Sequence, residues 1–485
     1  MKELIVSAMW LPIVIAALAV SLASMAPQPS QAASLKDPVR VEPAPAGEPL
    51  SALFAVAVDG QNAPAYVAKV LCIDRVRTHE LPEVQLPGEA AFASFDMGRS
   101  PVTVTVTCAQ DVQAAKLLPS SYHLTPNVEG NTVTFTISKP GQVTLEVNGD
   151  WNDSLHIFAN PYEADIPSAN DPNVIYFGPG VHEIEPVTVY SGQTVYIAAG
   201  AVVYGKLSSL TGKGTVFTLS GSNITLRGRG IIDGSLIPKP SPGGNLIFAH
   251  GSDIHVEGVI LRDSGGWNFP IYDSQRVTVD NLKLFGWRGN SDGIDINNSS
   301  DIDVADTFFR TFDDNVVIKS SNPKAPPTRN VTAKRCISWN EIAHPFSLGA
   351  ELNNDCENIT FSDCDVIHDK GREWVLRVFN SGKAHVKNVV FDNIRIEEAR
   401  RPISLWIGSS MWVKDPERGH IDDVVFRNIT SVLPEGGNKC ANLVGFDADH
   451  AIHNVKFENV LFGGKPVTAD DVKQNAFVDG VTFEP

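Results

Sequence analysis

SDIHVEGVIL (252–261), QRVTVDNLKL (275–284), SDIDVADTFF (300–309) and RNVTAKRCIS (329–338) read as copies of one short pattern. An Asn or Asp usually comes first, then a β-branched anchor, a gap, an apolar residue, two polar residues and another apolar residue. The pattern continues outward as SNITLRGRGI (222–231), ENITFSDCDV (357–366), KNVVFDNIRI (387–396), DDVVFRNITS (422–431) and HNVKFENVLF (453–462). The anchors Ile224, Ile254, Val277, Ile302, Val331, Ile359, Val389, Val424 and Val455 recur every 23 to 35 residues. A period of that size, with one short β-run per unit and no helix between, predicts a solenoid of β-coils. A single coil cannot bury its inward face, so coils must stack, and strands buried in parallel are rich in Val and Ile. Residues 166–485 are therefore expected to form a right-handed parallel β-helix.

Outward from the repeat, residues 50–165 carry the runs LFAVAVDG, AYVAKVLCI, VTVTVTC, NTVTFTIS and QVTLEVNG, separated by turn signals. Alternation over short runs at this spacing predicts a small N-terminal β-sandwich. Residues 34–49, rich in Pro, Ala and Glu from Asp37 to Pro49, read as a linker, and the stretch from Asn160-Pro161 to Pro172 reads as a hinge. At the start, Lys2 precedes a largely apolar run from Leu4 to Ala26, with small residues at Ala32 and Ala33. That is the layout of a secretory signal over 1–33, which implies export to the periplasm or the outside. A membrane anchor is the second reading, since the run is long enough to span a bilayer, but Pro12, Ser21 and Ser24 interrupt it. The formal charge of −17 gives no electrostatic reason to bind nucleic acid or an anionic membrane. Cys72 and Cys108 could pair, while Cys336 and Cys364 occupy equivalent repeat positions and could stack as small buried hydrophobes. No cysteine or histidine cluster suggests zinc, and no cofactor or metal is expected.

The repeat also explains most acidic residues. Asp253, Asp301 and Asp423 stand where Asn330, Asn358, Asn388 and Asn454 stand in other copies, and Asp306 and Asp363 stand where Asn281, Asn393, Asn428 and Asn459 do. These read as turn chemistry. Two clusters fall outside the register: NSDGID (290–295) and FDDNVVIKS (312–320). Asp292 and Asp313 are 21 residues apart, close to one coil, and stacked coils lie roughly 4.8 Å apart. Asp292, Asp313 and Asp314 are thus expected to converge on one groove. Crowded like charges raise a pKa, and glycoside hydrolysis needs a protonated acid beside ionised carboxylates. Spacing alone leaves a calcium site with oxygen ligands or a solvated turn open as well.

These clusters resemble glycoside hydrolase family 28, the polygalacturonases and their relatives. That family carries Asn-Thr-Asp-Gly-x-Asp, then Asp-Asp-x-x-x-x-Lys-Ser, Gly-His-Gly and Arg-Ile-Lys. The present chain has NSDGID (290–295), DDNVVIKS (313–320), His344 in AHPFSLGAE (343–351) and Arg377 in LRVFNSG (376–382). GRGIIDGS (228–235) and LRDSGGWNFPI (261–271) resemble two upstream family segments. The resemblance implies an O-glycosidase acting on a polysaccharide or oligosaccharide with inversion, with Asp313 as general acid and Asp292 and Asp314 holding and deprotonating the attacking water. His344 would tune the acid, and Arg377, Lys319, Asn290, Trp267 and Phe379 would contact substrate. An inverting site is expected to hold its carboxylates roughly 6.5–9.5 Å apart. The family's Arg-x-Lys becomes Arg377-Val378-Phe379 here, and an aromatic face suits a sugar ring better than a carboxylate. Dextranases and isopullulanases of family 49 share the β-helix clan, act on neutral α-glucans and also carry an N-terminal β-sandwich, so the substrate is expected to be either pectin-related or a neutral α-glucan. Trp287, Trp339 and Trp374 are further stacking candidates, with Trp267 and Trp374 favoured, and Lys370 or Arg372 could replace the lost lysine. A β-helix lyase or epimerase would want calcium and a basic residue acting on a uronate, and a non-catalytic carbohydrate-binding β-helix would have no need of the Asp triad.

Overall fold

The computed structural model describes residues 39–71, 87–98, 100–206, 214–238, 244–369, 371, 373–432 and 440–485. The expected signal segment 1–33, Cys72 with its pairing to Cys108, and Lys370 and Arg372 lie outside the described residues. Among the described residues no helix is long and apolar enough to cross a membrane.

The anchors pair with one another in parallel, coil upon coil, from Ile224 with Ile254 through to Val424 with Val455, with no slip at any step. One coil shows the plan: Gln275–Asp280, then Lys283–Phe285, then Ile294–Asn297, after which Ser300–Ala305 begins the next coil on top of the first. The protein is a right-handed parallel β-helix with three sheet faces: an anchor face, a narrow second face, and a third face built from Ile294–Asn297 and its equivalents. The anchors are buried, each contributing on the order of 1.5–3 kcal/mol. Phe361, Phe391, Phe426, Phe457 and Phe483 stack ring on ring through successive coils at 5.1–5.3 Å. Cys336 and Cys364 are free, buried neighbours in adjacent coils, the amide of Cys336 donating to Cys364 Sγ at 3.4 Å.

The turn residues behave as the repeat predicts. Asn223, Asp253, Asp301, Asn330, Asn358, Asn388, Asp423 and Asn454 all lie in the left-handed region at φ 54–59°, as do Asn281, Asp306, Asp363, Asn393, Asn428 and Asn459 at the second corner (φ 49–57°). Asn and Asp tolerate this conformation better than other residues with a Cβ. The side chains also form ladders: Asn330 donates to Asp301, Asn358 to Asn330, and Asn388 to Asn358, at 2.8–3.2 Å. At two positions an arginine takes the strained turn, and each pairs with the ladder Asp of the preceding coil, Arg276 with Asp253 and Arg335 with Asp306.

Before the coils lie two sheets, one of six strands between Val39 and Pro161 and one of five between Phe54 and Ile137. Their inward residues form a separate core. Two readings of this region need correction. The segment read as linker contributes the strand Val39–Arg40, and its Glu48 is buried in an ion pair with Arg262 of the coils. The expected hinge at Asn160-Pro161 is the end of the strand Asp150–Pro161. Asn160 is buried there, and its Oδ1 accepts hydrogen bonds from Asn281 and Lys283. An apolar interface backs this up, joining Tyr66, Phe92 and Phe158 to Phe285, Phe308 and Trp339. Pro and Ala in a run suggested slack chain; burial between two layers overrides that.

Candidate active site

The third face positions the carboxylates. Its strands Ile294–Asn297, Val316–Ser320, Phe346–Leu352, Leu376–Asn380 and Ile403–Ile407 pair in parallel, with one register shift between Ile318 and Ser320. Backbone bonds extend the ladder before the strands: Gly293 N–H to Asp314 O, Asn315 N–H to His344 O, and Val375 N–H to Arg401 O. Followed back two residues from each strand, one row therefore runs Trp267, Asp292, Asp314, His344, Trp374, Arg401. The coil step here is 22 residues, as Ile294 faces Val316, so Asp292 aligns with Asp314, and Asp313 sits one residue outside. A side chain at Gly293 would collide with the carbonyl of Asn315 in the next coil, which is why NSDGID needs glycine there. The Asp313 loop is pinned from behind, its carbonyl accepting from Thr311 Oγ1 (2.9 Å) and Asn340 Nδ2 (2.8 Å).

One carboxylate oxygen each from Asp292, Asp313 and Asp314 lies within 4.8 Å of the other two. This is closer than the expected 6.5–9.5 Å, because two of the residues are adjacent in sequence and the third lies one coil away. Asp292 and Asp314 are buried, and Asp313 is half-buried. Burial, then the charges of Asp295 and Asp313, holds the Asp292 carboxyl well above the usual carboxylate range. Burial and then Asp313 do the same to Asp314. Such a group titrates as a unit, and it keeps a proton where isolated carboxylates have lost theirs. Lys319 is the countercharge, 2.8 Å from Asp295, 3.8 Å from Asp292 and 3.9 Å from Glu351. Burial opposes the charge on Lys319, but these acids outweigh it and hold the ammonium well above its ordinary pKa. Its Nζ lies 4.1 Å over the Trp267 ring.

His344 closes the cluster on the other side. Its backbone N–H donates to Asp314 Oδ1 at 3.1 Å, its Nδ1 lies 2.7 Å from the Trp374 carbonyl, and Arg377 lies 3.1 Å from Nε2. Burial, then the Arg377 charge, pushes its pKa well below normal. The ring is neutral, Nδ1–H donating to the carbonyl and Nε2 accepting from Arg377. Arg377 also binds Glu373 at 2.6 Å and stacks 4.6 Å over Phe379.

The family model for glycosyl hydrolases family 28 matches residues 198–476, more than half of the 485 residues. The chain belongs to that family. It is 23% identical over 288 residues to a polygalacturonase of Medicago sativa, covering 53% of this chain and 66% of that protein. It is 26% identical over 189 residues to a polygalacturonase of Ralstonia solanacearum, covering 36% and 33%. The chain thus spans one third to two thirds of the length of these relatives. Among solved structures, Dex49A from Penicillium minioluteum matches with a TM-score of 0.63 at 11% identity, over 91% of this chain and 96% of that one. An exopolygalacturonase from Thermotoga maritima matches with a TM-score of 0.52 at 15% identity, over 64% and 84%. These likenesses concern the fold.

Within this family 28 chain the structure gathers Trp267, Asp292, Asp313, Asp314, Lys319, His344, Arg377 and Phe379 on one face. Asn290 is exposed at φ 61°, and its visible role is to turn the chain into Asp292. Trp339 is fully buried under the sandwich, and Trp287 is buried with its Nε1 donating to Asp263 at 2.6 Å; both are core. Sequence reasoning missed Asp295, Glu351, Glu373 and Trp406. Asp295 lay in plain view between Ile294 and Ile296, where period-2 alternation turns it onto the outer face. Trp406 follows Phe379 by 27 residues, one coil, and stacks on it at 4.4 Å with the rings 7° apart.

Proposed function

We propose that the chain is an exported hydrolase of O-glycosidic bonds in a polysaccharide, working through the Asp292–Asp313–Asp314 cluster. The observation that carries this is the close approach of the three carboxylates, two of them buried, on the outer face of a family 28 β-helix. Crowding keeps one proton in the cluster at a pH where carboxylates are normally ionised. In the reactive protonation state that proton sits on Asp313, the least buried of the three, with Asp292 and Asp314 ionised, and Asp313 hands it to the leaving glycosidic oxygen. A water held by Asp292 and Asp314 gives up its own proton to them as its oxygen attacks the anomeric carbon, and the bond to the leaving oxygen breaks. Asp292 Oδ1 has no hydrogen-bond partner among the described residues, so it can accept from that water. His344, neutral, fixes Asp314 through its backbone and orients Arg377. With two carboxylates sharing one water, no carboxylate has to attack the sugar, and the product is inverted.

The short spacing makes retention through a covalent intermediate the direct competitor, since that route uses carboxylates about 5–5.5 Å apart. Proton NMR of the first-formed sugar separates them. Inverted configuration supports the water mechanism; retained configuration overturns it.

A further inference from the structure

We propose that the sugar unit bound on the Trp406 side of the carboxylate cluster is an uncharged pyranose, held by its apolar face against Trp406 rather than through a carboxylate. The inference rests on the site being a polysaccharide site, and it names the substrate class.

Charge comes first. The cations that touch the cluster are already paired: Lys319 with Asp295, Asp292 and Glu351, and Arg377 with Glu373 and the His344 ring. Among the described residues, the acids Asp292, Asp295, Asp313, Asp314, Glu351 and Glu373 outnumber Lys319, Arg377 and the nearby Arg401. A uronate placed there would meet Glu373, already bound to Arg377 Nη1, and a carboxylate beside a like charge is disfavoured in its ionised form. The formal charge of −17 also repels a polyanion at long range.

Shape comes second. Trp406 lies flat on Phe379, and Arg377 covers the Phe379 ring at 4.6 Å and the Trp406 ring at 5.7 Å. Gly408 packs beneath the indole, where a Cβ would come within 2.6 Å of it. Phe379 is buried by this stack, while Trp406 keeps an accessible part. The ring is therefore held in one orientation before any sugar arrives. In the next coil Phe446 is 45% exposed and lies two residues past Val444, the partner of Trp406. The ring faces of Trp406 and Phe446 thus line this side, with the Arg418 guanidinium 5.6 Å from the Phe446 ring.

The test uses full-length Asp313→Asn, which is not expected to digest its ligand, in affinity electrophoresis through polygalacturonate, carboxyl-reduced polygalacturonate, dextran and pullulan. At least one neutral polymer should retain it about tenfold more tightly than polygalacturonate. Trp406→Ala, shown folded by circular dichroism, should lose about tenfold of that retention, a loss on the scale of one aromatic stack, and Trp406→Phe should keep most of it. Tighter retention by polygalacturonate would overturn the proposal, all the more if Arg401→Gln abolished it, since Arg401 lies beside this surface over Trp374. Retention by no neutral polymer, or a Trp406→Ala protein that binds as before, would overturn it too. Retention without cleavage by the wild type sinks the hydrolase reading alone; rapid cleavage of polygalacturonate by the wild type sinks this one alone.

Discussion

The β-helix carries aspartates in two settings. At its corners, Asp253, Asp301, Asp306, Asp363 and Asp423 sit in left-handed turns, Asp301, Asp363 and Asp423 in ladders with asparagines and Asp253 and Asp306 paired with arginines. On the third face, Asp292, Asp313 and Asp314 crowd together, and the Lys319 ammonium faces Asp292 and Asp295. The hydrogen bonds from Asn330, then Gln275, hold Asp301 below the usual carboxylate range. Burial drives Asp292 and Asp314 far above it and pushes Asp295 up to about 6. Residue type is the same; the environment decides whether an aspartate stabilises the fold or strains it. A carboxylate that the fold would be more stable without has another reason to be there.

The largest expected effect is on turnover. Asp292→Asn and Asp314→Asn should each lower kcat about 10²–10⁴-fold, read on any polysaccharide the wild type cleaves, while Asp363→Asn should stay near wild type because Asn fills that corner in other coils. Equal losses at Asp363 and Asp292 would erase the distinction between the two settings.

Stability should move the other way. The folded Asp292 carboxyl holds its proton to higher pH than the unfolded chain does. Its contribution is thus full below the ordinary carboxylate range and is lost as pH rises toward the raised value. Asp292→Asn should stabilise the protein near neutral pH, on the order of 1 kcal/mol, and flatten the decline with pH in thermal melts. Asp301 has the opposite sign: its contribution is present above the ordinary range and is lost as pH falls. A melting temperature that drops in Asp292→Asn would mean that the cluster is not strained.

The smallest effect concerns the pH profile. Lys319 lowers the pKa of Asp292, Asp295 and Asp314. In Lys319→Gln the alkaline limb of the residual activity should shift to higher pH; an unmoved limb would show that the ammonium does not set the cluster's proton.

What the sequence yielded follows the same division. The anchors from Ile224 to Val455 predicted register at every coil because a fold of stacked strands makes each inward residue face its equivalent, and a repeat records that directly. The Asp triad was legible because it broke the repeat. What stayed hidden depends on geometry between coils of unequal length. The 22-residue step aligns Asp292 with Asp314 rather than Asp313, and no repeat reports it. Trp406 and Glu373 are single residues without a pattern, visible only once Phe379 and Arg377 are placed. The strands Pro87–Met97 and Asp150–Pro161, which pair in parallel within the sandwich, were missed because both are buried along much of their length and alternate poorly.

The central claim, that the aspartates outside the register carry the chemistry, is tested most directly by comparing kcat/KM for Asp313→Asn and Asp301→Asn on one polysaccharide cleaved by the wild type, with folding checked by circular dichroism. The account predicts that Asp313→Asn falls by at least about 100-fold while Asp301→Asn stays within about twofold of wild type. An active Asp313→Asn beside an inactive Asp301→Asn would contradict it.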